Sequence, residues 1–107
     1  MKDPIQPTRC ARLLSALAAP ERLKIVRYLR EGPHNVSEIA AMLKAPLVNV
    51  SHHMAVLRHA GLVRGRRQGR YVIYSLTPGF LQSDGATEHL DLGCCRLEMP
   101  PPAEPET

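Results

Sequence analysis

Residues 49–76 read NVSHHMAVLRHAGLVRGRRQGRYVIYSL, and this stretch decides the fold. Its first half has a helical period. Val50, Met54 and Leu57 recur at i, i+4 and i+7, so one face of a helix is buried. Pro46 can open that helix and Gly61 ends it. The period then changes to two. Leu62–Arg67 and Arg70–Leu76 are rich in Val, Ile and Tyr, with Gln68-Gly69 between them as a turn. A helix followed by a hairpin with a basic tip is predicted.

Upstream, Ser37 caps a short helix, Glu38–Leu43, and a brief connection at Lys44-Ala45 leads to Pro46. Two helices joined by so few residues have helix-turn-helix spacing. Before them, Pro20 opens a helix with Leu23, Val26 and Leu29 inward and Ile25 widening that face, stopped by Gly32-Pro33. Thr8 caps a first helix from Arg9 to Ala18, with Leu13, Leu14 and Leu17 as its apolar stripe. The expected fold is mainly α with a small β-hairpin: four helices, two strands and a C-terminal segment. Residues 1–7, with two prolines, are expected to be disordered. Residues 8–99 form the domain, its C-terminal segment starting at about 79. Residues 100–107, PPPAEPET, read as a disordered proline-rich tail. Within the segment, Asp84-Gly85 suggests a turn, and HLDLGCCRLEM (89–99) partly alternates around Gly93. Strand, extended arm and irregular helix stay open there, with an extended form favoured.

The chain has 107 residues, one domain's worth. Trp is absent and Phe occurs once, so the core must be aliphatic. No apolar run is long enough to span a bilayer and no leader-like stretch opens the chain, so a cytoplasmic protein without membrane contact is expected. The formal net charge is +4, and its distribution carries more information than its size. From Ile39 to Ser83 there is no Asp or Glu, while Lys44, Arg58, Arg64, Arg66, Arg67 and Arg70 fall in that stretch. A polyanion such as nucleic acid is the natural partner, against the plainer reading of a solvated basic face. An odd cysteine count of three argues against a disulfide framework, and thiols are expected in a reducing compartment.

The helix that Pro46 opens and Gly61 ends suits a DNA major groove because its outward face is small, polar and free of acids. Val48, Asn49, Ser51 and His52 lie outside, with Ala55, Arg58 and His59 beyond them. Asn49 can donate and accept at an adenine edge, Ser51 and His52 can bond bases or phosphates, and Val48 can meet a thymine methyl. Arg64, Arg66, Arg67 and Arg70 on the hairpin are placed for phosphates or a minor groove. His52 and His53 project 100° apart. His53 is expected half-buried and structural, and without a third ligand nearby the pair is not read as a metal site.

From about Arg9 to Leu76 the chain resembles the ArsR/SmtB family of bacterial winged-helix repressors. The segments that carry the resemblance are LAAPERLKIVRYL, then VSEIAAML, then the stretch at 49–76 quoted above, in that order. The resemblance implies a homodimer on double-stranded DNA, at a near-palindromic operator, that leaves when an effector binds. It also implies sensing of metals, metalloids or thiol-reactive species. The family's cysteine cluster at the start of the third helix is absent, since Asn35, Ser37 and Ala40 stand there. Its carboxylate–histidine site on a final helix has only Glu88, His89 and Asp91 to draw on, without a helical pattern or paired downstream ligands.

Cys10, Cys94 and Cys95 remain. Vicinal thiols are soft ligands for a thiophilic ion such as arsenite, and Cys10 can supply a third sulfur. Three silently packed thiols are the plainer reading. A redox switch, which would join Cys10 to the pair because adjacent cysteines bond only under strain, is the third. A regulator with no metal site, responding to thiol oxidation or to a protein partner, is the alternative. Arg96 beside the pair can favour a thiolate. An enzyme is not expected, because the histidines cluster on the helix that Pro46 opens, away in sequence from Cys94, and no catalytic motif is present. A protein-interaction module is disfavoured by the acid-free basic surface. An RNA-binding winged helix is disfavoured by the scarcity of aromatic stacking residues.

Overall fold

Among the residues that the computed structural model describes, 6–85 and 87–99, four helices come first. They are α1 (Pro7–Leu17), α2 (Pro20–Leu29), α3 (Val36–Leu43) and α4 (Leu47–His59). A two-residue strand β1 (His34–Asn35) precedes α3, and the hairpin strands are β2 (Val63–Gln68) and β3 (Tyr71–Leu76). Strands β4 (Leu81–Asp84), β5 (Thr87–Asp91) and β6 (Arg96–Met99) follow. One sheet runs β1-β3-β2 and the other β4-β5-β6, all pairs antiparallel.

Apolar residues from every helix meet in one core. Leu13 and Leu17 of α1, Ile25, Val26 and Leu29 of α2, Ile39 of α3, and Val50, Met54 and Leu57 of α4 are buried together with Leu62 and Val63. Burying one such side chain is worth about 1.5–3 kcal/mol, so these stripes fix how each helix is rotated. The core is aliphatic, with the chain's one phenylalanine, Phe80, at its edge. Two expected core residues are outside it: Leu14 is 46% exposed and Leu23 39%. On α1 the buried set is Leu13, Ala16 and Leu17, which turns Leu14 about 100° away. On α2 it is Ile25, Val26 and Leu29, which leaves Leu23 at the rim.

Helix ends correct the sequence reading in three places. α1 begins at Pro7, not after a Thr8 cap, because a first-turn proline has no N–H to satisfy and a preset φ. α3 is capped by Asn35 and not by Ser37. Asn35 Oδ1 accepts from the Glu38 N–H at 2.8 Å and Glu38 Oε1 accepts from the Asn35 N–H at 2.9 Å, a reciprocal capping box. Pro46 is the cap residue of α4, in extended conformation, with the first helical turn starting at Leu47. The hairpin turn is Gly69-Arg70, one residue later than read, since Gln68 pairs with Tyr71 and Gly69 takes φ +64°.

The C-terminal segment is extended, as favoured, and forms a sheet. Its turn at Gly85 separates β4 from β5. Phe80, Leu90, Leu92 and Met99 bury against the helical core. Arg9 Nη1 donates to Leu92 O at 3.1 Å, and Arg30 Nη1 donates to Met99 O at 3.0 Å. The expectation of disorder over residues 1–7 is overturned at its end, where Gln6 precedes and Pro7 opens α1, because a first-turn proline is preset for the helix; over residues 1–5 and 100–107 the expectations of disorder fall outside the described residues.

Candidate nucleic-acid interface and sulfur cluster

The link between α3 and α4 is three residues, Lys44–Pro46. Lys44 takes the left-handed conformation, φ +55°, and its N–H turns back to the last carbonyls of α3. With Val50, Met54 and Leu57 fully buried, α4 is rotated so that Val48 (74% exposed), Asn49, Ser51, His52, Arg58 and His59 face outward. Ala55 is half-buried, and so is His53, as expected for a structural histidine. Its ring Nδ1 lies 3.0 Å from Arg22 Nη1. His52 is exposed beside it, and its ring stands at 54° to that of His53.

The end of α4 sets where the hairpin starts. Gly61, φ +84°, donates to Arg58 O at 2.9 Å, and Leu62 N–H donates to Leu57 O at 3.0 Å. This is a Schellman closure that needs a residue free to adopt positive φ. Thr77, just past the far strand, donates from its N–H to Leu62 O at 2.9 Å and from Oγ1 to Gly61 O at 2.6 Å. The wing is thus hydrogen-bonded to the C-terminus of α4 at its base. Arg64 near the base, Arg66 along the strand, and Arg67 and Arg70 toward the tip are all exposed. Gly65 lies opposite Tyr74, and a Cβ there would meet the Tyr74 ring at 3.0 Å and Val72 at 3.1 Å. Tyr74 therefore covers the glycine, and its ring packs toward the core.

Among the described residues, no carboxylate pairs with Arg58, Arg64, Arg66, Arg67 or Arg70. The acidic groups that do form ion pairs (Glu38, Asp84 and Glu88) lie outside α4 and the wing. The positive charge of this surface is therefore not compensated by an ion pair among the described residues.

The residues of this surface fall within or close to a known family pattern. Residues 19–64 match the profile described as bacterial regulatory protein, arsR family. Over 88 residues the chain is 43% identical to the HTH-type transcriptional regulator NmtR of Mycobacterium tuberculosis, covering 78% of this chain and 73% of that protein. The chain belongs to the ArsR family. Its members are DNA-binding transcriptional regulators and not enzymes. The HTH-type transcriptional repressor SmtB of M. tuberculosis is 48% identical over 64 residues, which is 60% of this chain but about half, 47%, of that protein's length. The fold is shared with a solved ArsR-type structure, the homodimeric winged helix-turn-helix DNA-binding domain of Mb0332 from Mycobacterium bovis. It has a TM-score of 0.64 and 32% identity, over 66% of each chain. The four-helix-plus-hairpin reading is therefore the ArsR winged helix, and no helix among the described residues is long and apolar enough to cross a membrane.

The ArsR resemblance also raised two kinds of effector site. Glu88, His89 and Asp91 do not make one. Successive residues of β5 point to opposite faces, and each group is already held. Glu88 lies 3.6 Å from Arg30, His89 is buried with Nε2 2.7 Å from Arg96 Nη2, and Asp91 Oδ1 accepts from the Gly93 N–H at 2.9 Å. Arg96, read as a partner for the thiols, directs its guanidinium to His89 and to Asp84 Oδ2 at 2.7 Å.

The three cysteines do converge. Cys10 on α1 and Cys94 in the β5–β6 turn are joined by a disulfide, with Cα atoms 6.1 Å apart. Free thiols were expected at both. The sheet folds its turn back onto α1, and the Arg9–Leu92 contact brings the two backbones within bonding range. Cys95 is free and exposed, with its sulfur 3.8 Å from that of Cys94. All three sulfurs lie within 4.8 Å of one another. As a disulfide, Cys10 and Cys94 offer no thiolate; reduced, the set provides three soft ligands in one place, which fits a thiophilic ion.

The sequence did not reveal Arg22, Thr77, Arg9 or Arg30 as the residues that orient these parts. Each acts through a long-range hydrogen bond that no local pattern records.

Proposed function

We propose that this chain is a homodimeric transcriptional repressor that reads double-stranded DNA with α4 and grips it with the wing. Each subunit would seat α4 in a major groove, with Asn49, Ser51, His52 and Val48 toward the bases and Arg58 at the flank. Arg64, Arg66, Arg67 and Arg70 neutralise phosphates or enter the neighbouring minor groove. A two-fold dimer calls for a near-palindromic operator with half-sites about one helical turn apart. The exposed apolar stripe Ala11, Leu14 and Ala18 on α1 suits a second copy, and the similar Mb0332 domain is homodimeric. The site of action is the cytoplasm, where such a regulator meets its DNA.

The observation that carries this reading is the contiguous exposed surface from Val48 to Arg70, which has no acidic residue and whose arginines have no carboxylate partner among the described residues. Fluorescence anisotropy on a duplex from the gene's own upstream region tests it. Affinity is expected to fall by orders of magnitude between about 50 and 200 mM salt. Absence of any salt-sensitive attraction to duplex DNA overturns it.

The effector would act at Cys10, Cys94 and Cys95. With all three reduced, a thiophilic ion such as arsenite binds there and alters how the terminal sheet sits on α1, so that two reading heads lose register with their half-sites. Arsenite is expected to release DNA from the reduced chain but not from a Cys94→Ser/Cys95→Ser variant. A double variant that still responds removes the sulfur site. The Cys10–Cys94 bond favours a second reading, in which thiol oxidation is itself the signal.

A further inference from the structure

Cys95 is the exposed sulfur of the trio, yet the bond joins Cys10 and Cys94, both less exposed. An oxidant arriving from solvent meets Cys95 first. We propose that Cys95 is the entry thiol of a three-sulfur relay that accepts a low-molecular-mass disulfide bearing carboxylate and ammonium groups. Cys94 is the shared sulfur and Cys10 the final partner. This deepens the reading of the trio as effector site and rests on it for its regulatory consequence.

The steps balance. With the trio reduced, the Cys95 thiolate attacks one sulfur of the small disulfide; a mixed disulfide forms, and one small thiol leaves with the electron pair of the broken bond. The Cys94 thiolate, its sulfur 3.8 Å away, attacks the Cys95 sulfur and expels the second small thiol. A bond between adjacent cysteines is strained and readily opened. The Cys10 thiolate, within 4.8 Å of both, attacks the Cys94 sulfur, and the electron pair returns to Cys95 as thiolate. Two protein thiols are oxidised, one small disulfide becomes two thiols, and the protein thiols' two protons pass to them. The end state has Cys10–Cys94 bonded and Cys95 free, which is the arrangement seen.

A hollow of about 440 Å³ lies at the Arg9–Leu92 contact, one residue along the chain from Cys10 and from Cys94 on its Gly93 side. Arg9, next to Cys10, and Gly93, next to Cys94, line it with Phe80, Asp91 and Gly79. The Arg9 guanidinium lies 5.9 Å from the Phe80 ring centre. The Arg9 cation beside an aromatic ring, with the Asp91 carboxylate oxygen that the Gly93 N–H does not engage, suits a zwitterionic thiol compound of amino-acid type better than a neutral one.

The test uses the reduced full chain and oxidised glutathione as probe, with alkylation quenching and mass mapping of the disulfides. Replacing exposed Cys95 by Ser keeps the fold and is expected to slow Cys10–Cys94 closure at least about tenfold. Cys10→Ser is expected to accumulate glutathione on Cys95 or a Cys94–Cys95 bond. Because Arg9 also holds Leu92, its part in the pocket is read where closure cannot occur: in the Cys10→Ser background, Arg9→Gln is expected to slow the first capture of oxidised glutathione several-fold and to leave that step with neutral hydroxyethyl disulfide unchanged. Closure at the parent rate in Cys95→Ser, or glutathione found on Cys94 alone in Cys10→Ser, overturns the relay; an equal loss with both probes overturns the pocket. DNA affinity of the reduced and oxidised chains is measured separately. Equal affinities would refute the regulatory reading while the rate test still decides the relay.

Discussion

Arg22 of α2 holds α4 in place: its Nη1 lies 3.0 Å from His53 Nδ1, while its Nε donates to Ala16 O at 2.6 Å. One guanidinium thus ties α1, α2 and α4 together. Arginine has only donors, so His53 Nδ1 must accept and the imidazole proton sits on Nε2. A side chain that cannot accept leaves a part-buried guanidinium N–H without a partner. His53→Ala is expected to lower stability by about 1–2 kcal/mol, read as a urea midpoint. A double-mutant cycle with Arg22→Ala is expected to return a coupling near 1 kcal/mol. Additive losses would show that the contact contributes nothing beyond packing.

Glu38 makes the start of α3 sensitive to acid. The hydrogen bond from the Asn35 backbone N–H, and then the neighbouring His34, hold its carboxyl below the ordinary value of 4.5. The folded chain therefore binds this proton less readily than the unfolded chain. The stabilisation is fully present above the ordinary value and is lost as pH falls through the lowered folded one. Glu38→Gln keeps an oxygen that can accept from Asn35 but removes the charge. Denaturation midpoints from neutral pH to about 3 are expected to fall less steeply for the variant than for the parent. Parallel profiles would contradict this assignment.

The division of labour between wing and helix can be separated by salt. Arg67 and Arg70 stand at the hairpin tip without acidic partners among the described residues. Arg67→Ala/Arg70→Ala is expected to weaken all duplexes alike and to reduce the slope of log affinity against log salt by about 2. Asn49→Ala is expected to leave that slope unchanged while costing about 1–3 kcal/mol of discrimination for the operator. If both variants lose operator and random DNA equally, α4 does not read bases.

The helix-turn-helix and wing were legible because their signals are local. Apolar spacing rotates α4, Pro46 and Gly61 bound it, and Gly69 turns the hairpin. The cap of α3 was legible in principle, since Asn35 and Glu38 stand three apart as a capping box requires, but Ser37 offered a competing oxygen two residues on. Leu14 and Leu23 were misplaced because a helical stripe has edges, and only the neighbouring helices decide where those edges fall. The terminal sheet was harder. Gly93 interrupts its alternation, and His89 reads as polar although Arg96 lets it be buried. The Cys10–Cys94 bond spans 84 residues and depends on the sheet docking on α1, a relation no local spacing encodes.

That docking has both a covalent and an apolar component, and they can be weighed against each other. Closing a loop across a sequence separation of 84 removes unfolded-state entropy worth up to about 4.5 kcal/mol. Leu92 is 1% exposed in the core cluster, and truncating such a side chain costs about 2–5 kcal/mol. The two contributions are of similar size, so reduction alone leaves the sheet attached through Phe80, Leu90, Leu92 and Met99 and through the Arg9 and Arg30 hydrogen bonds. Cys10→Ser is expected to lower the denaturation midpoint and to speed amide exchange in β5 and β6 while near-native protection persists in α2 and α4. Reduced Leu92→Ala is expected to lose protection in β5 and β6 altogether. If Cys10→Ser alone abolishes it, the disulfide and not the apolar contact holds the sheet, and the redox state of Cys10 and Cys94 becomes a switch for docking itself.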